Sequence, residues 1–222
     1  MDLDKPPREK PALMAPWLVF AALVACLLVA MAASAMFGIS MPRSGWYFPP
    51  GSMDGGAHAI YRGHLDAMHE PVLRAGSGGT EVTSMRILCV TAFGQSAAVR
   101  YTFDNSGAAR RAVQLKGHGR PGPIAIDRTD RLTREQANAL LGSLDAAGYW
   151  DMPAKEEING RDGEQIVIEA IRGNEHRVID RWSPSYDTDA RDLAGYRAFY
   201  LAALRDAGVG LETRLSAQAC VE

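Results

Sequence analysis

The apolar residues of the chain are concentrated near its N-terminus. From Pro11 to Ala33 no side chain is charged or strongly polar. A helix over Trp17–Phe37 would be about 30 Å long, which matches the hydrocarbon thickness of a bilayer. A lone segment in lipid must satisfy its backbone hydrogen bonds internally, so a helix is the expected conformation. We therefore predict a transmembrane helix at residues 16–39, preceded by a cytoplasmic tail at residues 1–15.

Two sequence motifs indicate alternatives to a membrane anchor. Ala33-Ser34-Ala35 has the small-x-small form of a signal peptidase site, so a signal peptide cleaved after Ala35 is the main alternative. The apolar stretch is longer than the roughly 7 to 15 residues of a usual signal, which favours the anchor. Leu23–Cys26 is similar to a bacterial lipoprotein box, but the apolar residues that follow it disfavour lipidation.

Basic residues near the segment indicate its orientation. Lys5, Arg8 and Lys10 precede it, and only Arg43 follows closely. Because positive charge is retained in the cytoplasm, the N-terminus should be cytoplasmic and the rest of the chain extracytoplasmic. We expect a single-pass protein of the inner (plasma) membrane, with a periplasmic domain if the source is a Gram-negative bacterium.

A linker is predicted at residues 40–80, between the membrane segment and the domain. Breaker clusters at Pro49–Ser52 and Gly76–Gly79 bound it, and its apolar spacing indicates one short helix. Its three histidines are spaced so that they lie on different faces of a helix, which favours solvated side chains over a metal site. These are His58, His64 and His69.

Alternating apolar and polar residues begin near Glu81. Met85–Ile87, Ala97–Asp104 and Ala112–Lys116 indicate three strands with one covered face. The glycine-rich loop that follows, residues 116–122, lacks the Gly-Lys-Ser/Thr ending of a phosphate-binding loop and favours a structural turn.

A helix follows these strands. Thr133 and Gln136 form a capping box at its start, apolar residues recur on one face, and Gly148 suits its end. Aromatic residues after it, Tyr149 and Trp150, should cover the end of the core. A second helix is predicted over Asp189–Ala207.

Gly173-Asn174 predicts a two-residue hairpin turn between strands at Gln165–Arg172 and Glu175–Trp182. The order is thus βββ-α-ββ-α. Grouped strands and helices favour an α+β domain at residues 81–208, with a mainly antiparallel sheet and two helices on one face. A C-terminal tail would follow at residues 209–222.

Charge and cysteine content narrow the function classes. The 24 basic and 26 acidic residues leave a net charge of -2 and no basic stripe, which argues against a nucleic-acid partner. An exported domain permits a disulfide between Cys89 and Cys220. The alternative, which we favour, is a small buried Cys89 and a free thiol at Cys220.

Three stretches resemble a family of uncharacterised bacterial proteins. The family's features are Phe-Trp-x-Leu-Pro, an Asp-Gly leading into a strand with a Glu, and a His-containing strand that ends in Arg-Trp-Ser-Pro. The corresponding residues here are Tyr149–Pro153, Asp162-Gly163 with Glu169, and His176 through Arg181–Pro184. Tyr149 and Met152 depart from the pattern. The resemblance implies a shared domain and, since no activity is attached to the family, nothing about a reaction.

The hairpin brings candidate chemistry together. Glu169 should oppose Val178, so His176 and Asp180 become its diagonal neighbours on one face of the sheet. This trio could serve acid–base catalysis in an envelope hydrolase or hold a metal ion. The favoured interpretation is a polar patch on the solvent face of the sheet.

We expect no cofactor and no metal site. The leading hypothesis is therefore a binding or interaction module, held at the membrane by Trp17–Phe37 and facing an envelope protein partner.

Overall fold

The structure is a computed structural model that describes residues 46–75, 79–117, 119–158, 160 and 162–209. The transmembrane helix predicted at residues 16–39 lies outside these ranges, as do the processing signals. Among the described residues, no helix combines the length and apolarity needed to cross a membrane.

The centre of the domain is a six-stranded sheet in the order β4-β3-β2-β1-β5-β6, and every neighbouring pair is antiparallel. The strands are β1 (Val82–Thr91), β2 (Ala97–Asp104), β3 (Gly107–Leu115), β4 (Ile124–Thr133), β5 (Glu164–Arg172) and β6 (Glu175–Trp182). Three helices accompany them, namely α1 (Gly55–Ala67), α2 (Arg134–Ala146) and α3 (Ala194–Asp206). The predicted α+β class is confirmed.

Helices α2 and α3 pack on one face of the sheet, as expected. The hydroxyl of Thr133 accepts from the Gln136 N–H at 3.2 Å, and Oε1 of Gln136 accepts from the Thr133 N–H at 2.8 Å. These two bonds confirm the capping box. Gly148 takes a positive φ of 69° after the helix. Helix α3 begins later than predicted, because the residues before it form turns whose carbonyls accept from Arg191.

The second face of the sheet is also covered, so the prediction is corrected from one helical layer to two. Residues 46–73, here named the covering segment, contain α1 and pack on the strands. Leu65 and Met68 are fully buried there. The described residues of the expected linker are thus one layer of the domain, and the domain has a helix layer on each side of its sheet.

The residues expected to be exposed in this segment are mostly buried. Of the three aromatic residues at its start, Tyr47 and Phe48 are buried against the sheet, and Trp46 is 55% exposed. His58 and His64 are buried rather than solvated, and burial lowers the pKa of each imidazole. The Tyr47 N–H donates to Nε2 of His58 at 3.2 Å.

Strand β4 was missing from the predicted order, which is corrected to α-ββββ-α-ββ-α. It is an edge strand, and most of its residues are exposed. Residues 127–131 carry polar or charged side chains on both faces, so the strand lacks the alternation that indicates one buried face.

The hairpin of β5 and β6 forms as predicted, with Arg172 opposite Glu175 and a positive φ of 56° at Gly173. In β1, Cys89 is fully buried, as expected. Its sulfur is disulfide-bonded, which corrects the favoured expectation that Cys89 is an unpaired buried residue. The other two cysteines of the chain lie outside the described residues.

Candidate functional site

The predicted trio lies at the register that the hairpin turn implied. Glu169 of β5 opposes Val178 of β6, so His176 and Asp180 flank it on the same face. That face is covered by the covering segment. The expected solvent-exposed polar patch is therefore a set of buried and half-buried groups beneath a helical layer.

Glu169 and His176 are joined directly. Nε2 of His176 donates to Oε1 of Glu169 at 2.6 Å, while the other carboxylate oxygen of Glu169 accepts from Arg86. The Glu169 side chain is buried, and that of His176 is 16% exposed. The pair resembles a carboxylate that orients an imidazole.

Asp180 is engaged elsewhere. Its Oδ2 accepts a hydrogen bond from the Tyr61 hydroxyl of α1 at 2.8 Å, and no described group bonds to its buried Oδ1. Burial raises the pKa of Asp180 to about 6, although the bond from Tyr61 lowers it in part. The carboxyl borders a small pocket of about 160 Å³ beside Asp54 and Lys155. The structure thus brings Glu169 and His176 into contact, whereas Asp180 is hydrogen-bonded to α1.

The sequence interpretation missed three arginines that lie in one row across the same face. Arg86 of β1 is opposite Arg100 of β2, which is opposite Arg111 of β3. Like charges directly opposite each other on a sheet are destabilising. The row therefore requires acidic partners.

Glu70, which follows α1, is the acidic group that all three arginines share. Its Oε2 lies 2.9 Å from Nε of Arg100 and 3.6 Å from Nη1 of Arg86, and its Oε1 lies 2.5 Å from Nη1 of Arg111. The carboxylate is completely buried. Pro71 strengthens the attachment, because its carbonyl oxygen accepts from Arg86 at 2.7 Å.

Arg86 connects this cluster to the predicted pair. Its guanidinium contacts Glu70 on one side and Glu169 on the other, and the Arg86 side chain is 1% exposed. Its Cζ also lies 5.5 Å from the ring centroid of Tyr47 and 5.8 Å from that of Phe48. The result is one buried charge network, His176–Glu169–Arg86–Glu70 with Arg100 and Arg111, which holds the covering segment on the sheet. Arg86 occupies both carboxylates, Glu70 and Glu169, so the network is suited to stabilising structure more than to transferring protons.

The stretches that carry the family resemblance meet on the opposite face and at the adjacent strand ends. The Tyr149 hydroxyl donates to the carbonyls of Ile168 (3.1 Å) and Arg177 (2.9 Å), and Arg177 donates in return to the Tyr149 carbonyl. Trp182 donates to the Asp162 carbonyl at 2.8 Å. These contacts give Tyr149, Arg177 and Trp182 structural roles in this chain.

A cleft of about 620 Å³ lies between the end of α2 and the start of α3. Arg181 and Arg191 line it, but their guanidinium groups are already bound to Glu156 and to backbone carbonyls. Among the described residues, no group of three acidic, histidine or cysteine side chains could hold a metal ion.

Comparison with known protein families finds no match, and no curated protein matches the chain significantly. Function is therefore inferred from the contacts of the described residues. The most informative of these contacts join the covering segment to the sheet, because this segment lies closest in sequence to the predicted membrane helix.

Proposed function

We propose that the chain is a single-pass membrane protein whose small exported α+β domain acts as a binding or interaction module at the cell envelope. One observation carries this proposal. The predicted membrane helix ends at residue 39, and the folded domain already includes Tyr47 and Phe48, both buried. The domain would thus sit at the membrane surface without a long linker, where membrane partners are present at high effective concentration.

Two further features support this placement. Trp46, the first described residue, is 55% exposed, and an exposed tryptophan next to a membrane segment suits the lipid–water interface. Cys89 is disulfide-bonded, which fits an oxidising compartment outside the cytoplasm.

Cell fractionation tests the membrane placement. We expect the full-length chain in the membrane pellet after alkaline carbonate washing, and we expect spheroplasts to expose its domain to added protease. Intact cells should protect the same domain in a Gram-negative host. Recovery of the uncleaved chain from the cytosolic supernatant without detergent would contradict the proposal, and a shortened soluble product would identify the signal-peptide alternative.

One observation favours the second candidate, an envelope hydrolase that uses His176, Glu169 and Asp180. The 2.6 Å contact between Nε2 of His176 and Glu169 could orient the imidazole as a general base. The binding of Asp180 to Tyr61, and the bond from Arg86 to Glu169, weigh against it because both acids are already engaged.

Replacement of His176 by alanine separates these two functions. An interaction module should keep the partners captured from detergent-solubilised membranes by the tagged full chain, while a hydrolase should lose hydrolysis of ester and phosphoester substrates by at least about a hundredfold. His69→Ala is the matched control, because His69 is an exposed histidine of the covering segment. Selective loss of turnover in His176→Ala, with an unchanged melting temperature, would favour the hydrolase.

A further inference from the structure

Strand β4 presents an unpaired edge. It is the terminal strand of the sheet, and the described part of the chain places no further strand beside it. Five consecutive residues, Asp127–Arg131, are exposed. An edge strand carries a row of free N–H and C=O groups and is a template for another strand.

The backbone hydrogen bonds determine which residues of β4 face outward. The Leu115 N–H donates to Ser96 on the β2 side at 2.9 Å, and the Lys116 N–H donates to Pro123 on the β4 side at 2.8 Å. Because directions alternate along a strand, Arg110 and Ala112 of β3 also bond toward β4. Their partners across the ladder are Asp130 and Arg128. The N–H and C=O groups of the residues between and beside these two, Asp127, Thr129 and Arg131, therefore point away from the sheet.

The sequence of this edge is complementary to itself. In an antiparallel pair of two β4 strands centred on Thr129, Asp127 lies opposite Arg131 of the second copy, and Arg128 lies opposite Asp130. The same alignment places Ile126 opposite Leu132. Charged edge strands often prevent pairing, but opposite charges directly across a ladder stabilise it.

We propose that β4 pairs with β4 of a second copy of this chain, antiparallel and with a twofold axis at Thr129. The outward-facing residues then meet each other, so their backbone groups form a regular ladder. Asp127 already accepts from Arg111 at 3.0 and 2.8 Å, and Asp130 accepts from Arg110 at 2.8 and 2.7 Å. Each carboxylate has lone pairs for a second arginine, supplied by the other copy.

The pairing is also compatible with two chains that are anchored in the same membrane. A twofold axis perpendicular to a continuous sheet leaves corresponding faces on the same side. The two covering segments, from which each chain enters its domain at Trp46, would therefore lie on one side of a twelve-stranded sheet. The inference goes beyond the proposed function and stands without it, since it uses only contacts of the sheet.

Thr129→Pro in the full chain tests the pairing. The Thr129 N–H faces outward, so proline removes no bond to β3 but blocks the ladder at the axis. Sedimentation in a density-matched neutral detergent should give the wild type twice the 24.0 kDa chain mass. The variant should dissociate at least about tenfold more readily, with an unchanged melting temperature. Thr129→Val, which keeps the N–H, should remain dimeric.

A cysteine at the axis provides a second measurement that does not depend on how proline is tolerated. Bonded residues directly across an antiparallel pair have Cα atoms about 5.5 Å apart, within the range of a disulfide. Thr129→Cys should give a disulfide-linked dimer on mild oxidation, whereas wild type and Thr80→Cys, another exposed threonine, should not. A monomeric wild type without this cross-link, or a dimer that Thr129→Pro leaves intact, would overturn the proposal.

Discussion

A chain that begins at Glu81 should fail to fold, whereas a chain that begins at Gly45 should form the complete domain. The shorter chain lacks the covering segment, which buries the apolar residues of the second sheet face. These are Leu88, Val90, Ala98, Val113, Leu115, Val167 and Val178. Burial of one large aliphatic side chain contributes about 1.5–3 kcal/mol, and the total stability of a domain is only about 5–15 kcal/mol. Losing this layer should therefore remove the folded state.

Circular dichroism and a thermal melt would compare the two chains. We expect one cooperative transition for the chain from Gly45, and no transition or an aggregated product for the chain from Glu81. If the shorter chain melts cooperatively at a similar temperature, the covering segment is an accessory that docks on an independently stable sheet. In that case the charge network would have little effect on stability.

The elements that the sequence predicted well are those determined by local chemistry. Thr133 and Gln136 are three residues apart, and their mutual bonds fix the start of α2. The Gly173 turn fixes the register of β5 and β6, so the proximity of Glu169 and His176 followed from residues seven apart. Neither inference needed information from distant parts of the chain.

The prediction left the second face of the sheet uncovered, although the sequence of β1 indicates that this face is buried. Ile87–Val90 is a continuous apolar run, and such runs are typical of strands buried on both faces. Breaker residues around the covering segment favoured a linker instead. A sheet with two covered faces needs a second helical layer, and α1 was the only remaining predicted helix.

The charge network could not be predicted from local patterns. Glu70 is separated from Arg86, Arg100 and Arg111 by 16, 30 and 41 positions, judged from their residue numbers. Nothing in the sequence around Glu70 distinguishes it from a solvated carboxylate. The arginine row becomes visible only when the registers of three strands are known, because that alignment places like charges together and so demands an anion.

Replacement of Glu70 by alanine should be the most damaging single substitution in the covering segment. It would leave Arg86 with one carboxylate instead of two and remove the acidic partner of Arg100, in a region where Glu70 itself is fully buried. Removing one partner of a buried ion pair typically costs about 3–5 kcal/mol, because the remaining charge is uncompensated. Urea denaturation of the full chain in detergent would measure the loss of unfolding free energy.

Asp66→Ala is the matched control, since Asp66 is another acidic residue of the covering segment, and its ion pair with Arg62 at 3.4 Å is partly exposed. Exposed pairs contribute about 0–1 kcal/mol, so this variant should lose far less stability even though it also loses the Tyr47 hydroxyl bond. Combining Glu70→Ala with Arg100→Ala should cost less than the sum of the two single changes, because the second substitution removes one of the stranded charges. Two results would contradict this prediction: equal losses of unfolding free energy for Glu70→Ala and Asp66→Ala, or strictly additive losses in the double variant. Either would mean that solvent neutralises the arginine row. Apolar contacts alone would then hold the covering segment on the sheet.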